Sequence, residues 1–199
     1  PAMRFTIALP PGMTRVGAPE ISPDGRWIAI PAMGLLGQGT QLLAIWLRAV
    51  DGDTFRPIAG TELALAAFWS PDSRDLAFPR DSALFRIPVA GGTPVRIAQI
   101  ATAGGGVRGA WRTDGTILVS SAGHIQRVPA SGGTLTAVTS GESAANYGGY
   151  SYPSWLPGDR FLFSDVSMSP IAPNGGGLYM QALTGGTPVR LLPERPLAR

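Results

Sequence analysis

The sequence predicts an all-β fold, a β-propeller segment made of four tandem four-stranded blades. Three observations carry this reading. The chain turns constantly, with 27 glycines and 19 prolines among 199 residues. That is well above the roughly 12% of an average domain, so the chain is not mostly helix. A Pro-Asp-Gly-like turn leading into an apolar strand occurs four times, and a second glycine-bearing turn follows each copy.

The first landmark reads ISPDGRWIAI at residues 21–30 and WSPDSRDLAF at 69–78. It recurs as WRTDGTILV at 111–119 and as WLPGDRFLF at 155–163, with Gly and Asp exchanged in the last copy. Proline presets φ at the second turn position, and glycine accepts the positive φ that follows. The second landmark reads WLRAVDG at 46–52, FRIPVAGG at 85–92, IQRVPASGG at 125–133 and YMQALTGG at 179–186. Its apolar-polar alternation has the period of a strand, and its glycines suit a hairpin turn. A short strand follows each, at 55–58, 94–97, 135–138 and 188–191.

The turn aspartate moves from 24 to 72 to 114 to 159, in steps of 48, 42 and 45 residues. A propeller blade takes about 40–45 residues. The predicted blades are therefore 18–60, 65–98, 106–139 and 151–192, each with strands A to D. Residues 3–9 read as one more strand, left over once the four blades are complete. The four blades are then expected to be part of a larger ring, or a half-ring that closes by self-association through open blade edges.

Composition excludes several function classes. The chain has no cysteine, hence no disulfide or thiolate metal site. Its sixteen cationic side chains are all arginine, and the net charge of +3 is spread without a basic cluster, so no nucleic acid is expected as a partner. Residues 27–47 carry no charge, but their middle holds Pro31, Gly34, Gly37, Gln38, Gly39, Thr40 and Gln41. A spanning helix needs about 20 predominantly apolar residues. This stretch reads instead as two strands joined by a glycine-rich loop, with no membrane span.

No residue set in the chain has the pattern of a catalytic, cofactor or metal site. GGGVRG at 104–109 fits G-x-G-x-x-G, but a strand rather than a helix is expected after it. His124 is the single histidine and has no visible ligand or triad partners. No G-x-S-x-G elbow occurs. Asp24, Asp72, Asp114 and Asp159 fall in equivalent turns of different blades, which suits turn capping. Trp69, Trp111 and Trp155 share one phase of the repeat, with Ile21 in the first copy, and suit packing between blades.

Strands that run alternately up and down put the A–B and C–D turns on one face and the long connections on the other. These connections are 31–41, 60–65, 99–107, 139–150 and 167–176. Long loops on a rigid scaffold carry binding. The candidate partner-binding residues on that face are Met33, Leu35, Leu36, Tyr147, Tyr150, Tyr152, Met168 and Ile171, with Arg80 and Arg108 beside them. They either form an exposed patch for a protein or peptide or pack inward over the ring.

Ser-Pro-Asp-Gly before an apolar strand, together with PVAGGTP at 88–94, resembles the WD40-like propeller repeats of TolB. RFTIALPPG at 4–12 and WLPGDRFLF at 155–163 resemble more closely the propellers that follow bacterial eukaryotic-like Ser/Thr protein kinase domains. The resemblance covers nearly the whole chain. It implies six to eight blades in the parent, a sensor or interaction role in a bacterial signalling protein, and no catalytic residue in the propeller. Two other settings fit the same repeat: a TolB-like module that docks envelope proteins, and the gating propeller of a prolyl-oligopeptidase-type peptidase.

Overall fold

The computed structural model describes residues 7–36, 39–101, 106–139, 149–165 and 176–193. They form four antiparallel sheets and no helix. Blade 1 has a divided inner strand, β1 (Thr14–Arg15) and β2 (Glu20–Ile21), then β3 (Trp27–Leu36), β4 (Thr40–Ala49) and β5 (Arg56–Pro57). Blade 2 runs β6 (Phe68–Trp69), β7 (Asp75–Arg80), β8 (Ala83–Pro88) and β9 (Val95–Gln99). Blade 3 runs β10 (Gly109–Trp111), β11 (Thr116–Ser121), β12 (His124–Pro129) and β13 (Thr136–Ala137). Blade 4 runs β14 (Tyr150–Leu156), β15 (Arg160–Asp165), β16 (Gly177–Ala182) and β17 (Gly185–Pro193). The inner strands touch in succession, β2 to β6 to β10 to β14, so the sheets stand side by side around a common inner groove.

The turns follow the chemistry of their residues. Asp24 Oδ1 accepts from the Ser22 hydroxyl at 2.5 Å and from the Arg26 N–H at 3.1 Å. Asp72 repeats this with Ser70 and Arg74, and Asp114 accepts from the Thr116 N–H at 2.8 Å. Gly25, Gly115 and Gly158 take the positive-φ position. In blade 2 that position is Ser73, held at φ 61. Its hydroxyl accepts the Asp24 N–H of blade 1 at 3.0 Å, a bond between blades that glycine could not make.

Apolar side chains fill the spaces between sheets. Ala29, Ile45 and Leu47 of blade 1 meet Leu76, Phe78 and Ile87 of blade 2. Ala77 and Leu84 meet Ile117, Val119 and Val128 of blade 3, and Leu118 and Ile125 meet Phe161, Phe163 and Tyr179 of blade 4. Two tryptophans pin these stacks. The Trp69 indole N–H donates to the Glu20 carbonyl at 3.1 Å, and that of Trp155 donates to the Ala110 carbonyl at 3.1 Å. Ile21, at the same phase of blade 1, is 53% exposed. On the tight-turn side Arg112 pairs with Asp114 in its own blade, reaches Asp159 of blade 4 at 2.9 Å, and lies 4.3 Å over the Trp155 ring.

Two expectations change. Residues 31–41 are not a long loop: β3 and β4, ten residues each, pair as a hairpin from Trp27↔Ala49 to Leu36↔Thr40. Gly34 lies within β3 beside the Trp46 indole, and any Cβ there would run into the ring. The indole N–H also donates to the Ala32 carbonyl at 3.0 Å. A glycine in a strand can mark close approach of another group rather than a turn. Of the strand expected over 3–9, residues 3–6 lie outside the described residues, and residues 7–9 form no strand. Pro10 and Pro11 lack the N–H groups a ladder needs. Ile7, Leu9 and Met13 instead pack against Ile28, Ile30, Ala32 and Trp46 on the outer face of blade 1. The uncharged stretch 27–47 is this hairpin, and no helix among the described residues is long and apolar enough to cross a membrane.

The Arg112 hydrogen bond holds the Asp114 carboxyl down to about 2. A carboxyl lowered on folding stabilises above its unfolded value of about 4 and loses that contribution as pH falls toward its folded value. The stability difference between wild type and Asp114→Asn should therefore shrink as pH falls from about 4 to about 2. Denaturant midpoints of both proteins across that range check it.

Candidate functional site

Three polar side chains stand on or beside the inner strands of blades 1, 3 and 4, and two of them, Arg108 and Tyr152, meet. Arg108 sits just before β10, and Ser120 of β11 fixes its backbone. The Arg108 N–H donates to Ser120 Oγ at 2.8 Å, and the Ser120 N–H and hydroxyl donate to the Arg108 carbonyl at 2.8 and 3.2 Å. The guanidinium donates to the Val107 carbonyl at 3.1 Å and lies 5.6 Å from the centroid of the Tyr152 ring. Such a stack contributes about 0.5–1 kcal/mol at an exposed site.

Tyr152 belongs to an irregular stretch of β14, where the register shifts between Ser151 and Ser154. Pro153 has no N–H to give to the ladder, so the strand bulges there. Tyr152 takes the strain, with φ 53 and 55% exposure. The residue before a proline is normally pushed to extended backbone, and a left-handed conformation costs a bulky residue about 1–3 kcal/mol.

Glu20 completes the group from β2. It occupies the phase held by Phe68, Ala110 and Ser154 in the other blades. Burial pushes its carboxyl above the usual carboxylate range, and the Arg108 guanidinium pulls it part of the way back. The site offers a fixed cation, an exposed aromatic ring and a half-buried acid. Groups of this kind can engage a polar or aromatic ligand by charge and stacking. Among the described residues, no group of three or more His, Asp or Glu side chains is placed to hold a metal ion.

The other expected site residues lie apart from this trio. Met33, Leu35 and Leu36 lie along the far part of β3, with Leu35 and Leu36 exposed at 44% and 39%. Arg80 lies 4.7 Å over the Phe85 ring and donates to the Gly60 carbonyl at 2.8 Å, tying blade 2 to the connection from blade 1. Tyr150 turns inward against Phe163, with ring centroids 4.8 Å apart, and edge-on to His124. Burial first, then the charge of Asp165, pushes its hydroxyl pKa up. Tyr147, Met168 and Ile171 lie outside the described residues. Glu20 was not among the expected residues. Its signal was a charged side chain at an inner-strand phase that is otherwise apolar or small. A separate groove of about 910 Å³ lies on the rim between blades 2 and 3, bordered by Arg96, Ser121 and Gln126. Arg96 is turned to Gln99 there, and no acid or second cation joins it.

This architecture recurs in solved structures. A putative TolB from Agrobacterium tumefaciens is 24% identical, with a TM-score of 0.59 over 85% of this chain and 62% of that one. The β-propeller domain of the Trilobed protease from Pyrococcus furiosus is 12% identical, with a TM-score of 0.54 over 90% of this chain and 57% of that one. The fold is a β-propeller. A puromycin-hydrolyzing peptidase of Mycobacterium tuberculosis is 18% identical, with a TM-score of 0.58 over 90% of this chain and 29% of that one. The propeller described here spans less than two thirds of each of these proteins. No family model matches the sequence, and no curated protein matches it.

The backbone at Tyr152 generates a stability prediction. Tyr152→Gly and Tyr152→Ala both remove the ring, but only glycine takes φ 53 without strain. The glycine variant should be the more stable of the two by about 1 kcal/mol. Urea unfolding of the pair measures the difference.

Proposed function

We propose that this chain is a non-catalytic binding propeller that holds a protein or peptide at Arg108, Tyr152 and Glu20. The single observation that carries the reading is Tyr152. A bulky residue is kept in left-handed backbone, more than half exposed, with a cation stacked on its ring. Strain of this kind persists where the surrounding structure imposes it, and it clusters at ligand sites. Tyr and Arg are also the residue types enriched at binding hot spots.

The wider setting is a further part of the proposal. The kinase-linked signalling role rests on the resemblance of residues 4–12 and 155–163 alone. The two other settings have structural relatives in fold. One is the putative TolB, and the other is the group of peptidases that includes an acylaminoacyl peptidase, matched with a TM-score of 0.51. The parent reading frame separates them. An upstream kinase domain favours the first, and a downstream domain with a G-x-S-x-G elbow favours the peptidase.

Panning a random-peptide display library against the chain tests the binding site. Enriched peptides should bind Arg108→Ala and Tyr152→Ala at least tenfold more weakly, a loss of about 1.4 kcal/mol. Peptides that bind both variants as well as wild type would place recognition elsewhere.

A further inference from the structure

On the tight-turn side the three blade junctions start from the same parts and end differently. Ser22, Ser70 and Arg112 hold one turn position, each with its carbonyl accepting the N–H three residues on, at 2.8, 3.0 and 3.0 Å. The blades that follow them carry Trp69, Trp111 and Trp155 at one phase.

Between blades 3 and 4, Arg112 fills the junction. Its guanidinium lies 4.3 Å from the centroid of the Trp155 ring and donates to Asp114 at 3.0 Å and to Asp159 at 2.9 Å. Between blades 1 and 2 the junction is closed without a cation. Trp69 is only 7% exposed, its indole N–H is bonded to the Glu20 carbonyl, and the Ser73 hydroxyl accepts the Asp24 N–H. Between blades 2 and 3 neither device is present. Among the described residues, the Trp111 indole N–H has no acceptor and no cation lies over its ring. Trp111 is partly exposed and borders a cleft of about 350 Å³, with a blade on either side.

The cleft also carries an acid. Asp72 Oδ1 accepts from the Ser70 hydroxyl at 2.6 Å and from the Arg74 N–H at 3.1 Å, and these bonds hold the carboxyl below its ordinary range. Asp72 is exposed and feels the charge of Arg74, but forms no ion pair among the described residues. The other charged groups at the cleft are paired. Asp75 meets Arg86 at 3.8 Å, and Arg112 is turned to Asp114 and Asp159.

Asp72 and Trp111 correspond in the repeat to Asp114 and Trp155, the acid and ring that hold the Arg112 guanidinium. Ser70, in the place of Arg112, is too short to reach across. A planar guanidinium stacks on an indole face and donates to a carboxylate in a fork, which a compact ammonium does not. We infer that the cleft between blades 2 and 3 takes an arginine side chain of a partner peptide, seated on Trp111 and paired with Asp72. This site is separate from the Arg108–Tyr152 pair and does not depend on it.

Two-dimensional NMR of the indole N–H groups tests this, with the signals assigned through Trp111→Phe and Trp155→Phe. As the blocked peptide acetyl-Gly-Arg-Gly-amide is added, the Trp111 signal should move and saturate. The Trp155 signal should stay, because Arg112 already covers that ring. The lysine counterpart, acetyl-Gly-Lys-Gly-amide, should need about tenfold more peptide for the same response. Asp72→Asn keeps the acceptor that the turn uses and should weaken the arginine peptide by about tenfold, the effect of one charge-assisted hydrogen bond. A Trp111 signal that never moves, or one matched by Trp155, would overturn the inference. An equal response to the lysine peptide, or an unchanged one in Asp72→Asn, would overturn it as well.

Discussion

Neighbouring sheets in this molecule are apolar on the faces they share, and the rest of the structure depends on those faces covering each other. Leu118 and Ile125 are fully buried only because Phe161 and Phe163 stand against them, and the same holds between blades 1 and 2 and between blades 2 and 3. Burying one such side chain stabilises by about 1.5–3 kcal/mol, while an indole hydrogen bond between blades contributes about 1 kcal/mol. Burial therefore supplies the adhesion. The tryptophan bonds to Glu20 and Ala110, and the Ser73 bond to Asp24, fix how one blade is turned on the next. Stability in such arrays is approximately a sum over nearest neighbours.

The candidate site draws on this rigidity. Arg108 is tied by Ser120 to the second strand of blade 3, whose side chains are locked between blades 2 and 4. Tyr152 is strained in blade 4, where Phe161 and Phe163 anchor the sheet. Glu20 belongs to blade 1, whose carbonyl at that residue receives Trp69. Arg108 and Tyr152 thus meet across two blades, and no single blade contains the candidate site.

Much of the fold was legible because propeller turns are local chemistry. Pro-Asp-Gly sets a turn by its own backbone preferences, and its regular spacing counts the blades. What depended on distant partners was not legible. Gly34 reads as a loop residue until Trp46, on the neighbouring strand, is known to lie on it. Tyr150 and Tyr152 are two residues apart and look alike in sequence, but the bulge between them sends one to Phe163 and the other to Arg108. Pro153 marks that bulge in the sequence, and Glu20 marks the acid of the candidate site by breaking a phase that is otherwise apolar or small. The charge of Glu20 is felt by that of Arg108, which is 88 positions away in the chain.

The dependence of one blade on the face of the next is tested most directly at Leu118. Leu118→Ala opens a cavity in blade 3 on the side that faces blade 4, a change that typically costs about 2–5 kcal/mol. Amide hydrogen exchange across the chain reads where that cost falls. The account predicts that the amides of β15 and β16 lose protection together with those of β11 and β12. Loss confined to blade 3, with β15 and β16 as protected as in wild type, would contradict it.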